Sequence, residues 1–494
     1  MRWRAAIVCA ALLGLTSCGD LASNPTPAPD VVRAAPAQRV EHVAWSAADL
    51  AQLRSTVRSA LDSHYFAHAG IAIADESGTI LYGSNVARGY APASTFKTLV
   101  AAAALATLGV DARLDTSLDS LDRPDPSGRV DELWLRGNGD PVLDPKELRA
   151  GIAALSRSGV RRIEGDVILD APSFGEREQN AAWAADDFEN GYAAGTSALS
   201  LNWNVIEFKI APTRVGVPAR VTVYPANPQI VIHGAPVTGY QTNLSIDRLA
   251  PGRNEFTIEG SIANLGELSF FRPVLGIPLW TAQVVAQMLR EQGIAFSGQA
   301  RVGGAPLALQ TLWVHRSPPL QTMVKQMLFE SDNHIAEQLL RVLGTESGDG
   351  VADSSAENAG AAVERTFLRS LEVPIPGLRI VDASGLAESN RVAPITLVRL
   401  LQAMLHTPVE HAYVSAFPRA GVEGTVRHHD LSAAYGRVRA KSGHIDGVNA
   451  LAGYLDTRHH GRLAFAFLVN EPYADDATSI RVGIDRALDG LATL

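Results

Sequence analysis

The chain has 494 residues, 46% of them hydrophobic and 19% charged, with a net charge of −9. That length calls for more than one domain and that apolar share for full cores, while an acidic balance with no basic run argues against nucleic acid as a partner. Its two cysteines, Cys9 and Cys18, both precede the body of the chain, so a disulfide framework there is excluded.

In chain order, Arg2 and Arg4 before the apolar run Ala5 to Leu15 read as a secretory signal over residues 1–17, too short with its flanks to span a membrane. Leu15-Thr16-Ser17-Cys18 resembles a bacterial lipobox, which implies a lipid on Cys18 as the first mature residue. Gly19 follows in place of aspartate, and that implies the periplasmic face of the outer membrane. Residues 18–42 hold four prolines among small and polar residues, the composition of a tether. Leu50, Leu53, Val57 and Leu61 recur at helical spacing between Ser46 and His64. Ala69 to Ile73 and Ile80 to Tyr82 then read as two strands around the turn 75–78.

The stretch Pro92-Ala93-Ser94-Thr95-Phe96-Lys97 comes next, followed by an alanine-rich run to Gly109. Proline at the start and glycine at the end predict a buried helix with Ser94 in its first turn. Ser94 and Lys97, three apart, then share a face. A serine hydroxyl needs a base to become a nucleophile, and lysine serves as one when burial and a neighbouring cation lower its pKa. The chain has five lysines and only Lys97 has a serine three positions before it.

Residues 112–305 are dense in short strands punctuated by Gly and Pro, with helices expected only near Pro145 to Ser156 and Thr281 to Gln292; they read as one or two small, mostly β units inserted into the first domain. Helical spacing resumes at Leu320. Val438 to Ser442, Ala450 to Leu455 and Leu463 to Val469 read as strands, and 477–494 as a final helix. Two early and three late strands make one mixed five-stranded sheet assembled from distant segments, an arrangement that long insertions leave cheap in loop entropy if their ends are close.

Two further elements carry chemistry. Ser331-Asp332-Asn333 sits between helical runs, where a hydroxyl and an amide can be aimed into a cleft. Lys441-Ser442-Gly443 ends a strand, giving a fixed positive charge beside a glycine that lets a ligand backbone approach, as an added peptide strand with a terminal carboxylate requires. Serine-lysine, then Ser-x-Asn, then Lys-Ser-Gly is a set shared by class A β-lactamases and penicillin-binding proteins.

On these motifs, on their long separation, and on Gly139-Asp140-Pro141, Asp382-Ala383-Ser384-Gly385-Leu386 and Ala420 to Thr425, the chain resembles the penicillin-binding D-alanyl-D-alanine carboxypeptidase/endopeptidase family, the low-molecular-mass class C penicillin-binding proteins. The resemblance implies a multi-domain α/β protein: a β-lactamase/transpeptidase-like domain of residues 43–111 and 306–494, interrupted by two small inserted domains. It implies a serine D,D-peptidase that cleaves D-Ala-D-Ala or cross-links of peptidoglycan, uses no cofactor and no metal, and is acylated by β-lactams. Ser94 would attack, Lys97 would be general base, Ser331 would help protonate the leaving amine, and Asn333 would bind substrate. Lys441 would take the terminal carboxylate and keep Lys97 neutral by repulsion, with Ser442, threonine in most of the family, contributing its hydroxyl. The backbone N–H groups of Ser94 and of His444, just past Gly443, would form the oxyanion hole. By spacing, Asp187, with Asp186 as rival, aligns with an aspartate that meets the substrate's free amine. A β-lactamase or esterase and a non-catalytic envelope sensor are the alternatives; a Ser-His-Asp hydrolase is disfavoured because no G-x-S-x-G elbow occurs. His428-His429 and His459-His460 are expected to be exposed.

Overall fold

A computed structural model describes residues 43–170, 174, 178–346, 355–470, 472, 474 and 476–494. The expected signal, Cys18 and the tether lie outside the described residues. Strands Gly70–Ala74, Ile80–Ser84, Val438–Ile445, Val448–Asp456 and Arg462–Asn470 form one sheet. The three late strands lie first, second and third, then Gly70–Ala74, then Ile80–Ser84 at the far edge. Every neighbouring pair is antiparallel, so the sheet is not mixed: short turns join the pairs that are consecutive in the chain and can only return it antiparallel, while Gly70–Ala74 meets the distant strand Arg462–Asn470 in the same sense.

Side-chain alternation gives this sheet two different faces. Ala72, Ala74, Ala450, Ala452, Ala464 and Ala466 face the helix Lys97–Leu108 and its neighbours Leu320–Glu330, Asn333–Glu346 and Pro394–Met404. Ile71, Ile73, Phe465 and Phe467 face the other way, under the helices Ala47–Ala60 and Ala477–Ala492. The small residues leave room for the central helix, in which every residue from Lys97 to Leu105 is buried. A helix that is apolar all round belongs in a core.

Residues 115–316 build sheets of their own over a separate core that includes Leu118, Ile152, Phe208, Phe256 and Leu289. The largest is five-stranded, and its edge strand Gln310–Arg316 pairs antiparallel with Asp115–Ser120. This sheet therefore runs past the edge expected at 305, because partnership across the sheet and not position in the chain decides where a strand belongs. Both expected helices are present, as Pro145–Arg157, with a capping box between Asp144 and Glu147, and Ile277–Glu291. The second begins earlier than its spacing predicts because the Glu178 carboxylate accepts from the N–H groups of Gly276 (3.0 Å) and Ile277 (2.6 Å) at its start. Among the described residues no helix is long and apolar enough to cross a membrane.

Of the paired histidines, His428 and His459 are exposed as expected, and His429 and His460 are a correction. His460 is buried, stacked on Trp45 at 4.0 Å between centroids, and His429 Nδ1 lies 2.5 Å from Asp485 Oδ1. Polar partners within the fold make burial affordable where isolated imidazoles would stay in water.

Candidate active site

Ser94 lies in a 3-10 turn, Ala93–Phe96, that feeds directly into the helix Lys97–Leu108. The expected single helix is thus divided: the serine sits just outside the α-helix proper and Lys97 opens it. Ala93, fully buried, has φ +45°, a conformation that costs a non-glycine residue energy and persists only where packing imposes it. Gly385 supplies part of that packing, since a Cβ there would meet Ala93 O at 1.9 Å.

Three motifs converge on this turn. Lys97 Nζ donates to Ser94 Oγ at 2.9 Å, to Asn333 Oδ1 at 2.7 Å and to Ser384 O at 2.7 Å. Asn333 opens the helix Asn333–Glu346 and its Nδ2 donates to Tyr192 O at 3.0 Å, which fixes which end of the amide faces the lysine. Only Ser331 and Asp332 separate this helix from Leu320–Glu330, and Ser331 adopts φ +63° to make the corner. Asp332, rather than Ser331, caps the second helix: its Oδ1 accepts from Ile335 N at 3.0 Å. Ser331 is brought to the corner, with no hydrogen bond to Ser94 or Lys97.

The strand Val438–Ile445 is the near edge of the sheet. Its first half is covered: Ala420 N donates to Val438 O and Ala440 N to Pro418 O. Backbone groups of alternate residues point the same way from an edge, so beyond Ala440 the N–H and C=O of Ser442 and His444 face outward on the side of the serine turn. Gly443 makes the approach possible, since a Cβ there would lie 2.9 Å from Ser94 N. Lys441 is fully buried and its Nζ donates to Ser442 O at 2.6 Å. Ser442 Oγ and Thr425 Oγ1 are 2.9 Å apart, pairing two hydroxyls. The exposed His444 side chain turns to Asn449 Oδ1 at 3.0 Å.

Burial pushes the Lys97 ammonium down to about 8, against the pull of Asp382, Glu337 and Asp332. Lys441 is held well below its ordinary value by burial and then by the charge of Lys97. The repulsion expected from Lys441 on Lys97 is therefore felt mainly at Lys441, and desolvation depresses Lys97.

Asp187 lies apart from the serine but is linked to it. Its Oδ1 accepts from Tyr192 OH at 2.7 Å, and Tyr192 O holds Asn333. The segment 183–203 sends two indoles into the site: Trp183 Nε1 donates to Asp382 Oδ2 (2.9 Å) and Trp203 Nε1 to Asp332 Oδ2 (2.8 Å). Ser384, Glu337, Thr425 and these tryptophans are site residues that the motifs alone miss. The quoted stretches Asp382 to Leu386 and Ala420 to Thr425 were the signals for the first and third; nothing local marks the others. Among the described residues no group of three or more His, Cys, Asp or Glu is arranged to hold a metal.

Comparison with known proteins gives this geometry its context. Residues 53–491 match the model of the D-Ala-D-Ala carboxypeptidase 3 (S13) family. A D-alanyl-D-alanine carboxypeptidase of Actinomadura sp. (strain R39) is 30% identical over 447 residues, 86% of this chain and 82% of that one. D-alanyl-D-alanine carboxypeptidase DacB of Haemophilus influenzae is 26% identical over 388 residues, 76% of this chain and 80% of that one. The crystal structure of penicillin binding protein 4 (dacB) from Haemophilus influenzae superposes with a TM-score of 0.75 at 23% identity, covering 89% of this chain and 99% of that one. A second structure of that protein, complexed with a β-lactam, gives 0.70 at 23%, covering 88% and 98%. The chain belongs to the D-Ala-D-Ala carboxypeptidase 3 (S13) family and is a serine-type D-Ala-D-Ala carboxypeptidase.

Proposed function

We propose that Ser94 is the nucleophile and Lys97 its general base in the cleavage of D-Ala-D-Ala ends and peptide cross-links of peptidoglycan. The observation that carries this reading is the set of contacts around Lys97 Nζ. A neutral amine has two N–H groups and one lone pair. Asn333 Oδ1 and Ser384 O can only accept, so they take the two N–H groups and leave the lone pair for the hydroxyl proton of Ser94. Ser94 Oγ attacks the scissile carbonyl as its proton passes to Lys97. The tetrahedral oxyanion is met by N–H groups of Ser94 and His444. The peptide C–N bond then breaks, the leaving amine regains a proton with the help of Ser331, and the acyl-enzyme ester is hydrolysed by water.

The open edge from Lys441 to Ile445 suits a peptide added as a strand, with its terminal carboxylate taken by the hydroxyls of Ser442 and Thr425 and by the charge of Lys441. Asp187, held by Tyr192, would meet a free amine on the stem peptide, with Asp186 as the rival. The catalytic domain comprises 43–111 and the chain beyond the edge strand Gln310–Arg316, with the inserted domains between. A β-lactam carries a strained amide and a carboxylate and acylates the same serine, in line with the β-lactam complex of the Haemophilus relative. The protein works in the cell envelope, anchored through a lipid on Cys18.

The test is intact mass after incubation with a fluorescent penicillin, beside Ser94→Ala. An adduct on the parent alone supports the reading, and cross-linked muropeptides then separate end-trimming from cross-link cleavage. Rapid turnover without adduct would make the protein a β-lactamase, and no reaction at all would overturn the assignment.

A further inference from the structure

The loop 382–387 has its amides turned one way and a carbonyl turned the other. Glu337, fully buried, accepts through Oε1 from Ala383 N at 3.1 Å and Ser384 N at 2.8 Å. Asp382, also fully buried, accepts from Gly385 N at 2.7 Å (Oδ1) and Ala387 N at 2.6 Å (Oδ2). Gly385 N belongs to the same peptide plane as Ser384 O, and Ser384 O is the acceptor for Lys97 Nζ. Fixing the N–H side of a peptide fixes and polarises its carbonyl. Glu337 lies one helical turn beyond Asn333 on the helix Asn333–Glu346, so a single helix holds the amine twice: directly through Asn333 Oδ1, and through Glu337 by way of the loop.

We propose that Glu337 is a positioning residue for Lys97: with Asp382 it locks the loop that presents the Ser384 carbonyl, and so aims the amine lone pair at Ser94. This rests on the reading of Lys97 as general base.

The charged surroundings support an electrostatic as well as a geometric effect. Asp382, Glu337 and Asp332 all favour the ammonium form of Lys97. Glu337 itself faces Asp382, Arg341 and Glu357, and Arg341 lies 3.5 Å from its Oε2 and 3.2 Å from Glu357. From the helix Ala356–Ser370, buried Glu364 adds a carboxyl with no hydrogen-bond partner among the described residues, pushed up to about 8 by burial and then by Glu337. Burial and Asp382 hold Glu337 up at about 7. Lys441 is the other cation near Lys97. Removing the Glu337 charge leaves the ammonium less favoured, so the neutral base persists to lower pH.

The experiment measures the acylation rate constant for the fluorescent penicillin across pH 6 to about 10 in the full chain, for the parent, Glu337→Gln, Glu337→Ala and Ser94→Ala, with melting temperatures alongside. Glu337→Ala, which frees the loop, is expected to lower the high-pH plateau about tenfold or more. Glu337→Gln keeps an acceptor for both amides; it is expected to lose less and to move the midpoint downward by roughly one pH unit. If both variants melt lower yet acylate with the parent's plateau and midpoint, Glu337 is only a brace of the fold and the inference fails. Should Glu337→Ala not fold, the midpoint of Glu337→Gln alone decides. Acylation of Ser94→Ala would instead overturn the assignment of the nucleophile, so the two failures are separable.

Discussion

Two lysines near Ser94, Lys97 and Lys441, are both fully buried and have different surroundings. Lys97 opens a helix, has three acceptors within 2.9 Å and is faced by three carboxylates. Lys441 lies midway along the edge strand Val438–Ile445, has one backbone acceptor and no carboxylate among the groups acting on it. On the proposed reading, the same residue type at the same burial serves in one place as a base with an aimed lone pair and in the other as the charge that takes an incoming anion. Surroundings, not exposure, separate the roles.

Removing the Lys97 side should have the largest effect. Lys97→Ala is expected to slow acylation by roughly a thousandfold or more, at any pH, measured with the fluorescent penicillin. In the parent, the rate should rise as pH increases through about 8, because burial holds the folded-state value there and only the neutral amine accepts the proton. A rate flat from pH 6 to about 10 would mean that Lys97 is not the base.

The Lys441 side should behave otherwise. Lys441→Met keeps the volume and removes the charge, and is expected to weaken use of carboxylate-bearing peptides by about ten- to a hundredfold, mainly in KM. Because that ammonium has little compensation, the melting temperature should not fall as it would for a paired buried charge. A loss confined to kcat would place Lys441 in the proton path and erase the contrast.

The smallest effect is reserved for a residue that touches only the Lys97 side. Trp203→Phe deletes the indole donor to Asp332 and leaves a buried carboxyl one partner short, at a cost of about 1–2 kcal/mol in stability. Denaturant unfolding reads the loss, and the strand with Lys441 should be untouched. An unchanged stability would show that Asp332 is satisfied by Ile335 N alone.

Much of this was legible in the chain because it is local. Three-residue spacing puts Ser94 and Lys97 on one face whatever surrounds them, Pro92 and Gly109 bracket the helix, and alternation marks the strands. What escaped is non-local. Glu337 reads as an ordinary residue of an amphipathic helix, Trp183 and Trp203 as core aromatics of an insertion, and nothing near them in sequence names Ser384, Asp382 or Asp332 as partners. The antiparallel course of the sheet and the membership of Gln310–Arg316 in the inserted sheet escaped for the same reason: a strand's periodicity records which faces are buried, not which neighbour lies beside it.

The sequence by itself determined the pairing of Ser94 with Lys97 and the order of the three motifs, since these rest on side-chain chemistry and short spacings. Only the tertiary structure decided the surroundings of Lys97. Its desolvation, its two acceptor-only partners and the carboxylates that oppose its neutralisation come from segments distant in the chain, and the energy of a buried charge is set by whatever atoms the fold packs around it.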